Sequence, residues 1–354
     1  MAKLKAAVIF GGANSEHEVS WRSAASVIRS ISADKYDVVT LGITKDGRWY
    51  QYFGTADQIE DGSWITDTAH CVPAYISPDR AIHGIVRDRG DGSCEHERLD
   101  VVLPILHGKN GEDGTIQGLF EIAGIPYIGC GVLASAMCMD KAVTNTLLDD
   151  IGIRRAPWDS IMEYDLGRFD EFADCWEQEF GYPMFVKPAN AGSSVGITKA
   201  ADRVHLRQAL DTAFEHDNKV VVEQNISGQE LECSVLGHYE PIASIVGEII
   251  AANEFYDYES KYHSAKSETL IPARITAGQQ AEIQRTAVSA FLALGCKGMA
   301  RVDFLMDSET KEIYLNEINT IPGFTSISMY SKMLEASGIP YPELIDRLIN
   351  IALE

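Results

Sequence analysis

Glu317 and Asn319 stand two residues apart in Leu315-Asn316-Glu317-Ile318-Asn319-Thr320, an apolar run that turns at once through Pro322-Gly323 into Thr325 and Ser326. In a strand, period-two alternation sends both side chains out of one face. A carboxylate beside an amide oxygen suits Mg²⁺, a hard cation held through one or two carboxylates together with substrate phosphates. Asp303, in Ala300-Arg301-Val302-Asp303-Phe304, offers a second acid. That chemistry belongs to a nucleotide, and the turn after the strand then handles whatever the nucleotide activates.

Lys187 ends the apolar run Met184-Phe185-Val186 and leads through Ala191-Gly192 and Ser193-Ser194 to Gly196. Such a loop can close backbone N–H groups and hydroxyls over phosphates, although a hairpin tip with an incidental lysine fits the same residues. Glu223, closing the next strand, could read an adenine amino group, and together with Asp303, Glu317 and Asn319 it tilts the reading toward phosphate. Arg301 precedes Asp303 by two and faces the same way. It either pairs with a neighbouring acid or offers its planar fork to an anion or a developing oxyanion. His107, just past a strand, reads equally as a structural histidine or a binding one. The polar-aromatic stretch Phe255 to His263 is an ordinary loop or a lid. Gly129-Cys130-Gly131-Val132-Leu133-Ala134 matches a dinucleotide fingerprint, but its acids, Asp149 and Asp150, end a helix rather than a strand. A tight turn into a helix accounts for those glycines, and no GxxxxGK[ST] occurs.

Several elements must position these groups. Lys5 to Phe10 reads as a buried strand ending at Gly11-Gly12, Trp21 to Ile31 as a helix, and Tyr36 to Thr44 as a second strand, an open parallel α/β beginning. Residues 54–98 are polar and read as an exposed excursion. Leu99 to Leu106 is a strand leading into His107 to Gly114, so both Gly-rich turns lie at the carboxyl rim where α/β sheets place ligands. Ser135 to Asp150 reads as one helix. Beyond it, Met184 to Pro188, Lys219 to Gln224, Leu231 to Leu236, Ile242 to Ile250, Met299 to Leu305 and Ile313 to Asn319 read as strands, with a helix over Asp202 to Glu215. The second half therefore reads as antiparallel sheet with packing helices. No internal repeat appears.

The 354 residues suffice for two or three domains. The formal charge of −22 argues against nucleic acid, which needs a basic face. No apolar run is long enough to span a membrane. The first residues run straight into a strand without a signal peptide, which points to the cytoplasm. The seven cysteines lack CxxC spacing and read as reduced thiols, most of them filling the core.

Taken in order, GGANSEHEVS, HGKNGEDGTIQG, GCGVLASAMCMDK, VKPANAGSSVG, YDYESKY, ARVDFLMD and NEINTIPGFTSIS resemble the D-alanine–D-alanine ligases of the ATP-grasp superfamily over nearly the whole chain. The resemblance implies an N-terminal open parallel α/β substrate-binding domain over residues 1–140. A central ATP-grasp subdomain with the phosphate loop would occupy 141–223, and a C-terminal α+β ATP-grasp domain with lid and Mg site 224–354. It implies joining two D-alanines through an acyl phosphate, at the expense of ATP, for peptidoglycan precursors. Glu16 would hold the first ammonium with His107 nearby, and Lys141, Lys187, Ser193 and Ser194 would bind phosphates. Glu223, Gln224, Ile226, Glu230 and Phe255 would surround adenine and ribose. Asp303, Glu317 and Asn319 would carry two Mg²⁺, with Mn²⁺ able to substitute. Arg301 and the Gly323 N–H would stabilise the oxyanion.

The resemblance further implies that Glu16, Ser193 and Tyr262 link lid to loop, and that Lys261 and Ser328 hold the second carboxylate. D-lactate-using relatives often lack the tyrosine, and D-serine-using relatives often carry arginine where Met329 stands, so Tyr262 and Met329 favour D-alanine. His263 departs from the pattern, since a lid histidine features in some lactate-type enzymes. Gln224 departs from a common lysine. A homodimer is implied, with neither nucleic acid nor membrane as partner. The competing readings are a D-alanine–D-serine or D-alanine–D-lactate ligase and, from another class, a non-catalytic nucleotide sensor.

Overall fold

The computed structural model describes residues 2–192, 195–250 and 268–354. Its first sheet contains β1 (Leu4–Gly11), β2 (Tyr36–Ile43), β3 (Trp49–Tyr52), β4 (Cys71–Ile76), β5 (Gly84–Asp88), β6 (Cys94–Arg98) and β7 (Val101–Pro104), in the order β6-β5-β4-β3-β2-β1-β7. Only the trio β2-β1-β7 is parallel, and β3 to β6 extend it antiparallel. Ala6 to Phe10 are wholly buried because helices cover both faces of that trio. The helix expected from Trp21 starts earlier and spans His17–Ser30.

Residues 54–98 are not an exposed excursion. They carry the helix Ala56–Glu60, whose Thr55/Gln58 pair forms a full capping box, and β4 to β6. Trp64 is fully buried among them, edge-on to Phe10. The capping spacing was a readable signal. The strands were not readable, because β5 and β6 carry charge on their outward faces and β4 contains Pro73. Arg87 pairs with Glu95 and Glu97, and Lys5 reaches Glu97. Such charges also blunt β6, the free edge.

A four-stranded sheet follows, with β8 (Trp158–Met162), β9 (Met184–Pro188), β10 (Thr198–Ala200) and β11 (Lys219–Gln224) in the order β10-β9-β11-β8. Its core draws only on residues 161 to 222, including Trp176 from the helix Phe169–Glu179 and Leu206 from Arg203–Phe214. The third sheet comprises β12 (Gly228–Gly237), β13 (Ile242–Ala243), β14 (Gly247–Ile250), β15 (Glu268–Leu270), β16 (Gly298–Asp307) and β17 (Ile313–Asn319). All its pairings are antiparallel. The helix Ala277–Ala293 packs on it through Ile283, Ala287 and Phe291. Among the described residues no helix is long and apolar enough to cross a membrane.

The first and third sheets share one core. Leu344, Ile345, Leu348 and Ile349 of the helix Tyr341–Leu353 pack with Val8, Val27 and Leu103, together with Leu236 and Met299. The glycines of the dinucleotide-like motif belong to this junction. Gly298 has φ +79°, and a Cβ there would lie 2.9 Å from the Gly129 nitrogen. The run expected as one helix over 135–150 breaks into Val132–Met139 and Lys141–Asp150. Asp140 is extended there and accepts the N–H groups of Ala142 and Val143, capping the second helix.

Gly298→Ala is expected to cost about 2 kcal/mol from its left-handed backbone and the approach to Gly129. Urea midpoints measure this, and a midpoint equal to that of the parent would remove the junction from the account.

Candidate active site

A cavity of about 790 Å³ opens where the three sheets meet. The N-terminal unit contributes Glu16, at the start of His17–Ser30, and His107 and Glu112 from the turn after β7. The middle sheet contributes Lys187, at the end of β9, and Glu223 of β11, with Lys141 beside them. From the third sheet and the turn beyond it come Glu230, Arg301, Asp303, Glu317, Asn319, Gly323, Ser328 and Met329. Gln224 and Ile226 line the same space. Ser193, Ser194, Phe255, Lys261, Tyr262 and His263 lie outside the described residues.

Strand register sets the chemistry of the acidic wall. Glu232 of β12 stands opposite Asp303 of β16, which stands opposite Glu317 of β17. Three acids in one cross-strand row repel unless cations sit among them. Arg301 is one such cation. Its Nε and Nη2 each donate to an Asp303 oxygen at 2.7 Å, and Glu232 lies 3.3 Å away. Burial opposes its charge, but Asp303, Glu232 and Glu317 outweigh that and raise its pKa well above the usual value. Of the two roles open to Arg301, the structure shows the pairing with Asp303. Asn319 Nδ2 donates to Asp303 at 3.0 Å.

A bulge enriches this wall. Pairing shifts between Asp303↔Glu317 and Phe304↔Leu315, leaving Asn316 unpaired. Straight alternation would turn Asn316 from the site, whereas the bulge lets Asn316 and Glu317 both line the cavity. Sequence reasoning missed Asn316 because a bulge leaves no periodic trace. It missed Glu232 because its pairing with Asp303 is a long-range register. Among the described residues no group of three His, Cys, Asp or Glu side chains is poised as a metal cage. Two carboxylates and an amide instead suit Mg²⁺ that takes its remaining ligands from phosphate and water.

The wall beside the glycine-rich loop is held through Lys187. Its Nζ donates to Glu223 Oε2 at 2.5 Å and to Asn316 Oδ1 at 3.3 Å. Lys141 Nζ donates to the Ala191 carbonyl at 2.7 Å, tying the helix begun by Asp140 to the root of the glycine-rich loop. Gln224 Nε2 instead donates to the Phe180 carbonyl at 3.3 Å.

At the opposite wall His107 is buried, and burial lowers its pKa, so the ring is neutral. Its Nδ1 donates to the Ile321 carbonyl at 2.9 Å, which makes Nε2 an acceptor for the Ser23 hydroxyl at 3.0 Å. The Phe324 N–H reaches Ser23 Oγ at 3.5 Å, and Ser326 N–H reaches Ser26 Oγ at 3.2 Å. The Pro322-Gly323 turn is thereby fastened to His17–Ser30. Both nitrogens of His107 are spent on the protein, so it lines the cavity but organises the turn. Ser328 Oγ lies 2.7 Å from Thr325 Oγ1. Met329 packs with Met333 and Ile249.

Glu16 is buried beside the turn after β7, where a Cβ on Gly108 would lie 2.0 Å from its Oε2. Close by, Glu112 accepts the Gly108 N–H at 2.8 Å. Burial first, then the charge of Glu16, push the Glu112 carboxyl up to about 8. A carboxyl whose folded pKa exceeds its unfolded one binds its proton more tightly when folded. Stability therefore falls as pH rises from the ordinary carboxylate range toward 8. Glu112→Gln cannot ionise, and its Tm advantage over the parent is expected to widen between about pH 5 and pH 8. Parallel Tm–pH curves would refute that charge state.

Two family models match the chain, one described as D-ala D-ala ligase N-terminus over residues 5–130 and the other as D-ala D-ala ligase C-terminus over 147–350. A protein called D-alanine--D-alanine ligase from Acetivibrio thermocellus is 48% identical over 364 residues, covering 99% of this chain and 96% of that one. Its namesake from Caldicellulosiruptor bescii is 48% identical over 355 residues, covering 100% and 96%. Among solved structures, the VanG D-Ala:D-Ser ligase from Enterococcus faecalis superposes with TM-score 0.90 at 41% identity, covering 99% and 100%. The D-alanine-D-alanine ligase from Coxiella burnetii gives 0.84 at 34%, covering 100% and 94%.

Proposed function

The chain belongs to the D-alanine–D-alanine ligase family, and on that premise we propose that it joins two D-alanines at the expense of ATP. The supporting observation is that Glu16, Lys187, Arg301, Asp303, Glu317, Gly323 and Ser328, drawn from three sheets, line one cavity.

In this reading Glu16 holds the ammonium of the first D-alanine and points its carboxylate at the phosphates. Lys187 and Lys141 exchange their present oxygen partners for phosphate oxygens, while Glu223, Glu230, Gln224 and Ile226 receive adenine and ribose. Asp303, Glu317 and Asn319 hold Mg²⁺, two ions with Mn²⁺ as substitute. Bound there, the metal neutralises charge on the phosphoryl group in transfer. The carboxylate of the first D-alanine takes the γ-phosphoryl group and ADP leaves. The acceptor carboxylate meets Ser328, and its amine, once deprotonated, attacks the acyl-phosphate carbon. Negative charge then grows on the former carbonyl oxygen, to which Arg301 and the Gly323 N–H donate in this reading, and collapse of the adduct expels inorganic phosphate. Because the turn carrying Gly323 is fastened before substrate arrives, that donor needs little reorganisation. Ser193, Tyr262, Lys261 and Phe255 complete the loop-and-lid assignment. A nucleotide-dependent reaction of this kind belongs in the cytoplasm, and a homodimer completes the reading.

The alternative acceptors are D-serine and D-lactate. Met329 and Ile249 make the wall near Ser328 apolar, which favours a methyl group. An apolar wall rejects an added hydroxyl by only about 10²-fold. Incubation with ATP, Mg²⁺ and each candidate acceptor, followed by product separation, is therefore expected to give D-alanyl-D-alanine with kcat/KM about 10²-fold above D-serine. A dominant D-serine or D-lactate product would overturn the assignment, and absence of phosphate release with any D-amino acid would favour a nucleotide sensor. Arg301→Lys keeps the charge but loses the fork, so kcat should fall by about 10²-fold. A kcat equal to the parent's would remove Arg301 from the oxyanion site.

A further inference from the structure

Asn14 lies in the turn after β1, one of two turns that meet at the carboxyl rim of the first sheet. Its amide is fully used. Nδ2 donates to the His107 carbonyl at 2.9 Å and to the Lys109 carbonyl at 2.6 Å, and Oδ1 accepts the Glu16 N–H at 2.9 Å. One side chain thus spans both turns and holds the backbone of the residue that meets the first substrate.

The placement of Glu16 depends on the spacing between those turns. A Cβ on Gly108 would lie 2.0 Å from Glu16 Oε2, and one on Gly192 would lie 2.9 Å from the same oxygen. The carboxylate is therefore wedged between the turn after β7 and the root of the glycine-rich loop. The turn after β7 is braced from its far side by Glu112, which accepts the Gly108 N–H. If the turns part, the carboxylate has room to swing.

We propose that Asn14 is a positioning residue that sets the subsite of the first D-alanine without touching it, an inference that rests on the ligase reading above. The effect is local to that subsite. The acceptor wall is fastened elsewhere, by Ser26 to Ser326 and by the Tyr341 hydroxyl, which donates to the Phe324 carbonyl at 2.8 Å. Lys187 and Glu223 pair across β9 and β11. Neither set bonds to Asn14, whose amide meets the acceptor side only through the His107 carbonyl, on the residue whose ring donates to Ile321.

The rate of dipeptide formation against D-alanine concentration resolves two Michaelis constants, one for each subsite, and the test compares them in Asn14→Ala and Asn14→Ser. Asn14→Ala is expected to raise the first constant about tenfold, with the second constant, the ATP constant and kcat held within about twofold. The Asn14→Ser hydroxyl can donate once and accept once and should fall between, which carries the test if Asn14→Ala does not fold. An active parent with an unchanged first constant in both variants overturns the inference. So does a uniform rise of all three constants with a lowered Tm, the signature of general loosening. A parent that releases no phosphate with D-alanine overturns the ligase reading instead.

Discussion

Three carboxylates side by side across neighbouring strands are the constraint around which the site is organised. Glu232, Asp303 and Glu317 occupy matched positions on β12, β16 and β17, and a sheet tolerates such a row only with positive charge against it. Arg301, two residues along β16, meets part of that demand. A row of acids beside Lys141, Lys187 and Arg301 also makes the cavity receptive to cation and phosphate. The overall charge of −22 is compatible with an anionic substrate because the cations are local. Lys141, Lys187 and Arg301 all line the one cavity.

The opposite wall answers a different demand, that of holding a turn still at the cavity edge. The Pro322-Gly323 turn carries no side chain that could fix it from within, so the fixing comes from elsewhere in the chain. His107 and Ser23 clamp its two ends, and Tyr341 holds the Phe324 carbonyl. These are neutral hydrogen bonds in a buried setting, where each counts for more than it would in water and a missing partner costs accordingly.

What could be read from the sequence follows the distance over which each signal acts. Glu317 and Asn319 were visible because alternation is local, and Arg301 with Asp303 for the same reason. Lys187 was visible because a strand ending in a small-residue loop is a local pattern. Glu232 and Asn316 were hidden, one by pairing with a distant strand and the other by a bulge that alternation cannot encode. The excursion over 54–98 was misread because β5 and β6 display charge where a buried strand would display apolar residues, and Pro73 interrupts β4. The break at Asp140 was misread because apolar spacing continues across it, and only its capping bonds reveal two helices. His107 was legible as a candidate but not in its manner of acting, since its partners, Ser23 and Ile321, lie far away in sequence.

The core shared by the first and third sheets has a consequence for synthesis. Val8 and Leu103 share a core with Leu344, Leu348 and Ile349 as well as with Ala24 and Val27, so the face that His17–Ser30 covers stays incompletely packed until nearly all the described chain has left the ribosome. The middle sheet, cored within residues 161 to 222, can close as soon as it emerges. Co-translational order is thus inverted for this protein: the segment made second can fold first, and the segment made first waits for the last helix, exposing apolar surface to chaperones or to other nascent chains in the interval.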